Sequence, residues 1–240
     1  MEINDHVNGI FAIIWVAIAV IVGVTFILRA RKYKQNILIY WGIGFTGITC
    51  PWYPTIVSYF VAFFNETGLA LEQYLSFGFP FIAVTFIFTA YVIMELIAKK
   101  KGKLIVVIIV TVISVLFLIY YYYTLFLGDA SKLAEKGDSP VDISYTGLAI
   151  FFALYIAGAF ATLGILLSVN LIKSDNPENK LKGKFLLFAF IVYTIGALLD
   201  AFAITWYFVI FTRTLLISSA IGMYIGWLMP ESIKKLFLKA

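Results

Sequence analysis

Histidine and cysteine are nearly absent from this 240-residue chain, which has one of each, His6 and Cys50. One cysteine forbids an internal disulfide. One histidine, in the N-terminal tail, leaves no Ser-His or Cys-His nucleophile in the apolar body of the chain. No His/Cys/Asp/Glu group has metal-ligand spacing, so no metal and no cofactor is expected. An intramembrane aspartyl protease needs two facing carboxylates, and only Asp200 stands well inside an apolar run. The last apolar run holds no lysine for a retinal Schiff base. These absences make the chain read as a non-enzyme. Charge is also scarce, at 13% of residues, against about a quarter in a soluble domain. The basic residues are spread over separate segments, which argues against nucleic acid as a partner.

What is present is apolar. Hydrophobic residues make up 62% of the sequence and the mean hydropathy is +0.99. No soluble fold of this size hides that much apolar surface. Apolar runs long enough to cross a bilayer lie at about 9–28, 37–64, 74–97, 104–127, 144–172, 185–204 and 209–229. Continuous runs do not alternate as barrel strands do. The expected fold is therefore an all-α, seven-helix membrane bundle in a single domain, residues 1–240, with no signal peptide to remove.

Basic residues mark one side of this arrangement. Arg29, Arg31, Lys32 and Lys34 follow the first run, and Lys99, Lys100, Lys101 and Lys103 follow the third. Lys173, Lys180, Lys182 and Lys184 join the fifth to the sixth, and Lys234, Lys235 and Lys239 follow the seventh. The other side holds Lys132 and Lys136 among eight acidic residues, Glu2 to Asp142. The positive-inside rule then predicts an external N-terminus, a cytoplasmic C-terminus and a multi-pass place in the cell membrane. The lysines there suit anionic lipid headgroups, so the bilayer itself is a partner.

Several motifs have a plain packing reading. Gly42-Ile-Gly44-Phe-Thr-Gly47 spells a dinucleotide fingerprint, but no strand precedes it, and a small-residue packing face is expected instead. Gly158, Ala161 and Gly164 read the same way. Asn65-Glu66-Thr67 is a glycosylation acceptor pattern on the outer side. The longest connection, 128–143, is acidic and rich in turn formers.

The candidate site lies in the outer third of the bundle. Pro51 and Pro54 in Cys50-Pro51-Trp52-Tyr53-Pro54 remove backbone donors, so the second span should break around 47–54 and serve as a hinge. Pro51 is about 21 Å along a helix from Ile37. Asp200 lies about 22 Å from Phe185, and Arg213 about 24 Å from Met229. The two charges are expected at one depth and face to face, within about 4 Å. They read either as a strut between the last two spans or as part of a ligand cavity with Trp52, Tyr53 and Tyr193.

Ile195-Gly196-Ala197-Leu198-Leu199-Asp200, then Thr212-Arg213 with Leu215-Leu216, then Tyr224-Ile225-Gly226-Trp227 and Pro230, resembles the last two spans of the seven-helix sensor regions that precede histidine kinases. It also resembles standalone seven-helix proteins of archaea. The resemblance covers about 40 residues of the 240 and implies a receptor-like input module with no catalytic residues. On this reading no kinase or PAS domain is expected after Pro230, and a sensor would need a separate cytoplasmic signalling partner. The expected function is a receptor-like or sensory membrane protein for a small-molecule ligand. The alternative is a transporter or channel for a small solute or ion, which would want polar groups through the full depth of the membrane.

Overall fold

The computed structural model describes residues 1–238. These form an all-α bundle with one two-residue-long antiparallel ribbon. Helix α1 is Ile3–Tyr33, α2 is Ile37–Gly47, α3 is Tyr53–Asn65, α4 is Leu71–Ser76 and α5 is Phe79–Ile97. Helix α6 is Lys100–Phe126, α7 is Gly147–Ile172, α8 is Pro177–Asp200, α9 is Trp206–Leu228 and α10 is Glu231–Leu238. The ribbon pairs β1, Ala134–Glu135, with β2, Ser144–Tyr145.

Among the described residues six helical segments are long and apolar enough to cross a membrane: Ile3–Tyr33, Leu71–Ile97, Lys100–Phe126, Gly147–Ile172, Pro177–Asp200 and Trp206–Leu228. The expected second span is not one of them, because it is divided. Helix α2 ends at Gly47, a 3₁₀ turn covers Cys50–Trp52, and α3 starts at Tyr53 with Pro54 in its first turn. Pro51 and Pro54 bring no N–H for the missing bonds. Next to the break, Thr49 Oγ1 donates to Thr46 O at 2.7 Å, a carbonyl that also accepts the Thr49 backbone N–H at 3.2 Å.

The expected third span, 74–97, is not one helix either. Gly78 stands at φ +93° between α4 and α5, a region that favours glycine, and Pro80 follows in the first turn of α5. Other boundaries shift by a turn or two. Helix α1 starts six residues before its apolar run, with Asp5 Oδ2 accepting the Glu2 backbone N–H at 2.7 Å. Helix α8 starts at Pro177, capped by Asn176 Oδ1 on the Glu178 N–H at 2.8 Å. It ends at Asp200, and the sixth expected run's last residues form a turn.

Packing closes a ring. Helix α1 lies against α2 and α9, α2 against α5, α5 against α7, α7 against α8, and α8 against α9. Helix α6 sits outside the ring on α5 and meets α7 where Phe117 stacks on Phe152, centroids 3.7 Å apart. The centre is aromatic: Trp15, Phe26, Trp41, Phe45, Phe86, Phe160 and Phe190 are fully buried. Trp41 is among them and stacks on Trp227 at 4.4 Å.

The glycine motif is a packing face. A Cβ on Gly42 would fall 2.6 Å from Gly23 O of α1, and one on Gly44 2.5 Å from Thr89 Oγ1 of α5. Gly164 likewise abuts the Phe190 ring. Gly158 faces open space, so the expectation that it joins such a face does not hold.

Candidate functional site at the acidic end of the bundle

Three of the five expected ligand residues meet directly. Asp200 ends α8 and Arg213 lies two turns into α9, and Arg213 Nε approaches Asp200 Oδ1 at 2.9 Å. The contact is ionic and not the bidentate fork that arginine geometry offers: neither Nε nor Nη1 makes a hydrogen bond with the protein. Asp200 accepts from Trp52 Nε1 at 2.8 Å and from Thr212 Oγ1 at 2.7 Å. The Trp52 ring centre lies 5.3 Å from the guanidinium carbon, close enough for a cation–π contribution. Arg213 is only 2% exposed.

Tyr193 belongs to the floor of this cluster. Its hydroxyl donates to Ile48 O at 3.3 Å, a carbonyl in the broken segment, and its ring sits beside Trp15, which packs edge-on against Trp52. Tyr53 does not join. Its hydroxyl donates to Thr46 O and accepts from Thr49 Oγ1, both at 3.3 Å, so it stitches the break. Pro51 and Pro54 lie at the interruption, in the 3₁₀ turn and the first turn of α3. Where a ligand cavity was expected, these side chains pack directly on one another.

The charged pair is the centre of a longer network that sequence reasoning missed. Arg213 Nη2 donates to Asn8 Oδ1 at 3.0 Å, and Asn8 Nδ2 donates to Asp142 Oδ2 at 2.9 Å. Asp142 Oδ1 accepts from the Ile143 backbone N–H at 2.9 Å and from Tyr74 hydroxyl at 3.4 Å. The Tyr74 hydroxyl also pairs with Thr55 Oγ1 at 2.6 Å. One chain of polar contacts thus joins α1, α3, α4, α8, α9 and the 127–146 connection. Asp142 is half-buried, and burial pushes its carboxyl above the ordinary carboxylate range; the Asn8 hydrogen bond and the Arg213 charge offset only part of this.

The 127–146 connection is folded into the bundle mouth and not a solvated loop. Leu133, Ala134 and Val141 are fully buried. Ser58 Oγ donates to Pro140 O at 2.6 Å, and Ser139 Oγ donates to Asp5 Oδ1 at 2.7 Å. Lys136 donates to the backbone carbonyls of Thr67 and Leu69. A signal for this was present: Val141 and Ile143 flank Asp142 with apolar side chains in an otherwise acidic segment. Asn65, of the glycosylation pattern, closes a turn with its Oδ1 on the Gly68 N–H at 2.8 Å.

Two cavities lie elsewhere. A space of about 510 Å³ opens among α5, α7, α8 and α9 at the basic end. An apolar groove of about 320 Å³ runs between α6 and α7. No His/Cys/Asp/Glu group that could hold a metal ion is found among the described residues. In comparison with known proteins, no family model matches the chain and no curated protein is similar to it.

Proposed function

We propose that the chain is a non-enzymatic, receptor-like sensory protein of the cell membrane. It crosses seven times, with the divided α2–α3 segment as the second span, the N-terminus outside and the C-terminus in the cytoplasm. The observation that carries this reading is the buried Arg213, held between Asp200 and the Asn8–Asp142 pair. Intramembrane charges of this kind are costly to keep and mark functional positions by default. Here the charge connects the outer connection, where an external ligand arrives, to the last two helices and, through Trp52, to the broken span. A small-molecule ligand reaches Arg213 by displacing the connection that covers it. It shifts the helix arrangement by binding one arrangement more tightly than the other, and a separate cytoplasmic partner reads the change. The resemblance of the last two spans to kinase-linked sensor regions points the same way.

A transporter is the second reading, favoured by the 510 Å³ cavity at the basic end, opposite the closed acidic end. A bundle closed at one end and open at the other is one state of an alternating-access cycle. Reconstitution into liposomes separates the two. The receptor reading expects no saturable solute, ion or proton flux above empty vesicles; such flux, lost in Arg213→Gln, sinks it.

A further inference from the structure

The cavity at the basic end is layered. Its polar lining is Asn170, Ser174, Asn179 and Lys182; Leu96, Leu171 and Trp227 line it one residue from the ends of their helices, and Leu167 and Leu186 stand deeper. Leu186 stands seven residues inward of Asn179 on α8, about 10 Å along the helix, and Leu167 stands five residues inside the end of α7, which Ser174 follows. The volume falls in the range of about 300–1,000 Å³ typical of small-molecule sites. A polar rim over an apolar interior fits a ligand with a polar head and an apolar tail.

Charge selects the head. Lys182 Nζ pairs with Glu178 Oε1 at 2.9 Å, but Glu178 Oε2 also holds Lys234 Nζ at 2.7 Å. Lys182 can therefore turn toward a ligand without leaving the carboxylate bare. Lys99 to Lys101 follow the Leu96–Ile97 wall, and Lys173 precedes Ser174, which raises the local concentration of anions at the rim. Asn179 Nδ2 makes only a long contact with Ser174 Oγ, 3.4 Å, so both groups have hydrogen-bonding capacity left for a head group.

We infer that this cavity binds an anionic amphiphile, with its phosphate or carboxylate head at Lys182, Asn179 and Ser174 and its acyl tail against Leu167, Leu171 and Leu186. The inference is independent of the receptor reading and of the orientation of the chain. The head chemistry is shared by an anionic phospholipid and a free fatty acid, and the test separates them.

Protein purified in a neutral detergent is titrated with phosphatidylglycerol, oleate, phosphatidylcholine and glycerol 1-phosphate. Native mass spectrometry counts bound molecules and thermal unfolding follows stabilisation. One phosphatidylglycerol or oleate should bind and raise Tm, while phosphatidylcholine and glycerol 1-phosphate do neither. Phosphatidylglycerol alone assigns the membrane as source, and oleate alone assigns free fatty acid. Lys182→Ala, which removes the head contact, and Leu171→Trp, which fills the tail space, should each weaken binding roughly tenfold or more. Lys182→Gln and Leu167→Trp replace them if either fails to fold. Equal binding of phosphatidylcholine, binding of glycerol 1-phosphate, or no binding at all overturns the inference. So does loss in only one of the two classes of variant, since that means a lipid on the basic surface or a neutral tail alone.

Discussion

Arg213 illustrates how a single side chain sets the terms for its surroundings. A guanidinium cannot shed its proton, so in a helix that reads as membrane-spanning it must be compensated, and Asp200, Asn8 and the Trp52 ring do so. Removing one member of a buried pair costs about 3–5 kcal/mol, because the other charge is stranded. Asp200→Asn and Arg213→Gln are each expected to destabilise strongly, with the double variant falling short of their sum by about 1 kcal/mol or more. Strictly additive losses in a thermal-unfolding cycle would mean that the two side chains do not interact. Asp142 offers a second test. Its carboxyl titrates higher in the folded protein than the ordinary value of 3.8. The folded state then holds its proton more tightly than the unfolded chain. The stability this gives is full below the unfolded pKa and is lost as pH rises through the folded one. Asp142→Asn should flatten that part of the stability–pH profile. An unchanged difference between variant and parent from about pH 4 to 7 would remove Asp142 from the account. The Asp200–Arg213 pair was legible because both charges interrupt apolar runs on consecutive antiparallel helices; the equal spacing read from the sequence does not hold, since Asp200 ends α8 and Arg213 stands two turns into α9. Asn8 and Asp142 were not. Each lies just outside an apolar run, and a contact between residues 134 positions apart leaves no local pattern.

Elements show the same division. The break between α2 and α3 follows from two prolines three residues apart. The bend between α4 and α5 depends on one glycine, Gly78, inside an apolar run, and was not seen, although Gly78-Phe79-Pro80 is a turn signal. Hydrophobic runs also marked helix ends poorly, because backbone hydrogen bonding continues past the apolar stretch until a cap stops it. Small residues could be recognised as packing sites but not sorted, since a glycine on a lipid face and one on a helix contact look alike in sequence. Substitution sorts them. A Cβ on Gly47 would collide with the Thr85 side chain of α5, while one on Gly158 meets nothing within 4 Å. Gly47→Ala should cost about 1–3 kcal/mol through forced separation of α2 and α5. Gly158→Ala should be neutral or slightly stabilising, as alanine is the better helix former by about 1 kcal/mol. Equal effects at the two positions would mean that α2 and α5 are not in close contact.

For the molecule as a whole, orientation is the claim that charge patterning supports most widely. With Cys50→Ala as background, Asp138→Cys should react with an impermeant thiol reagent from outside intact cells. Asp175→Cys should react only after permeabilisation. Labelling of both from one side would remove the seven-span topology. The larger claim is that the 127–146 connection, the N-terminal turn of α1 and the α8–α9 hairpin are held as one unit through Arg213. Amide hydrogen exchange of the parent protein and Arg213→Gln, compared in the same detergent, tests it directly. Faster exchange in Arg213→Gln should appear together at residues 3–8, 130–146 and 196–213, with the basic ends of α7 and α8 unchanged. Faster exchange confined to α9 around residue 213 would contradict the account.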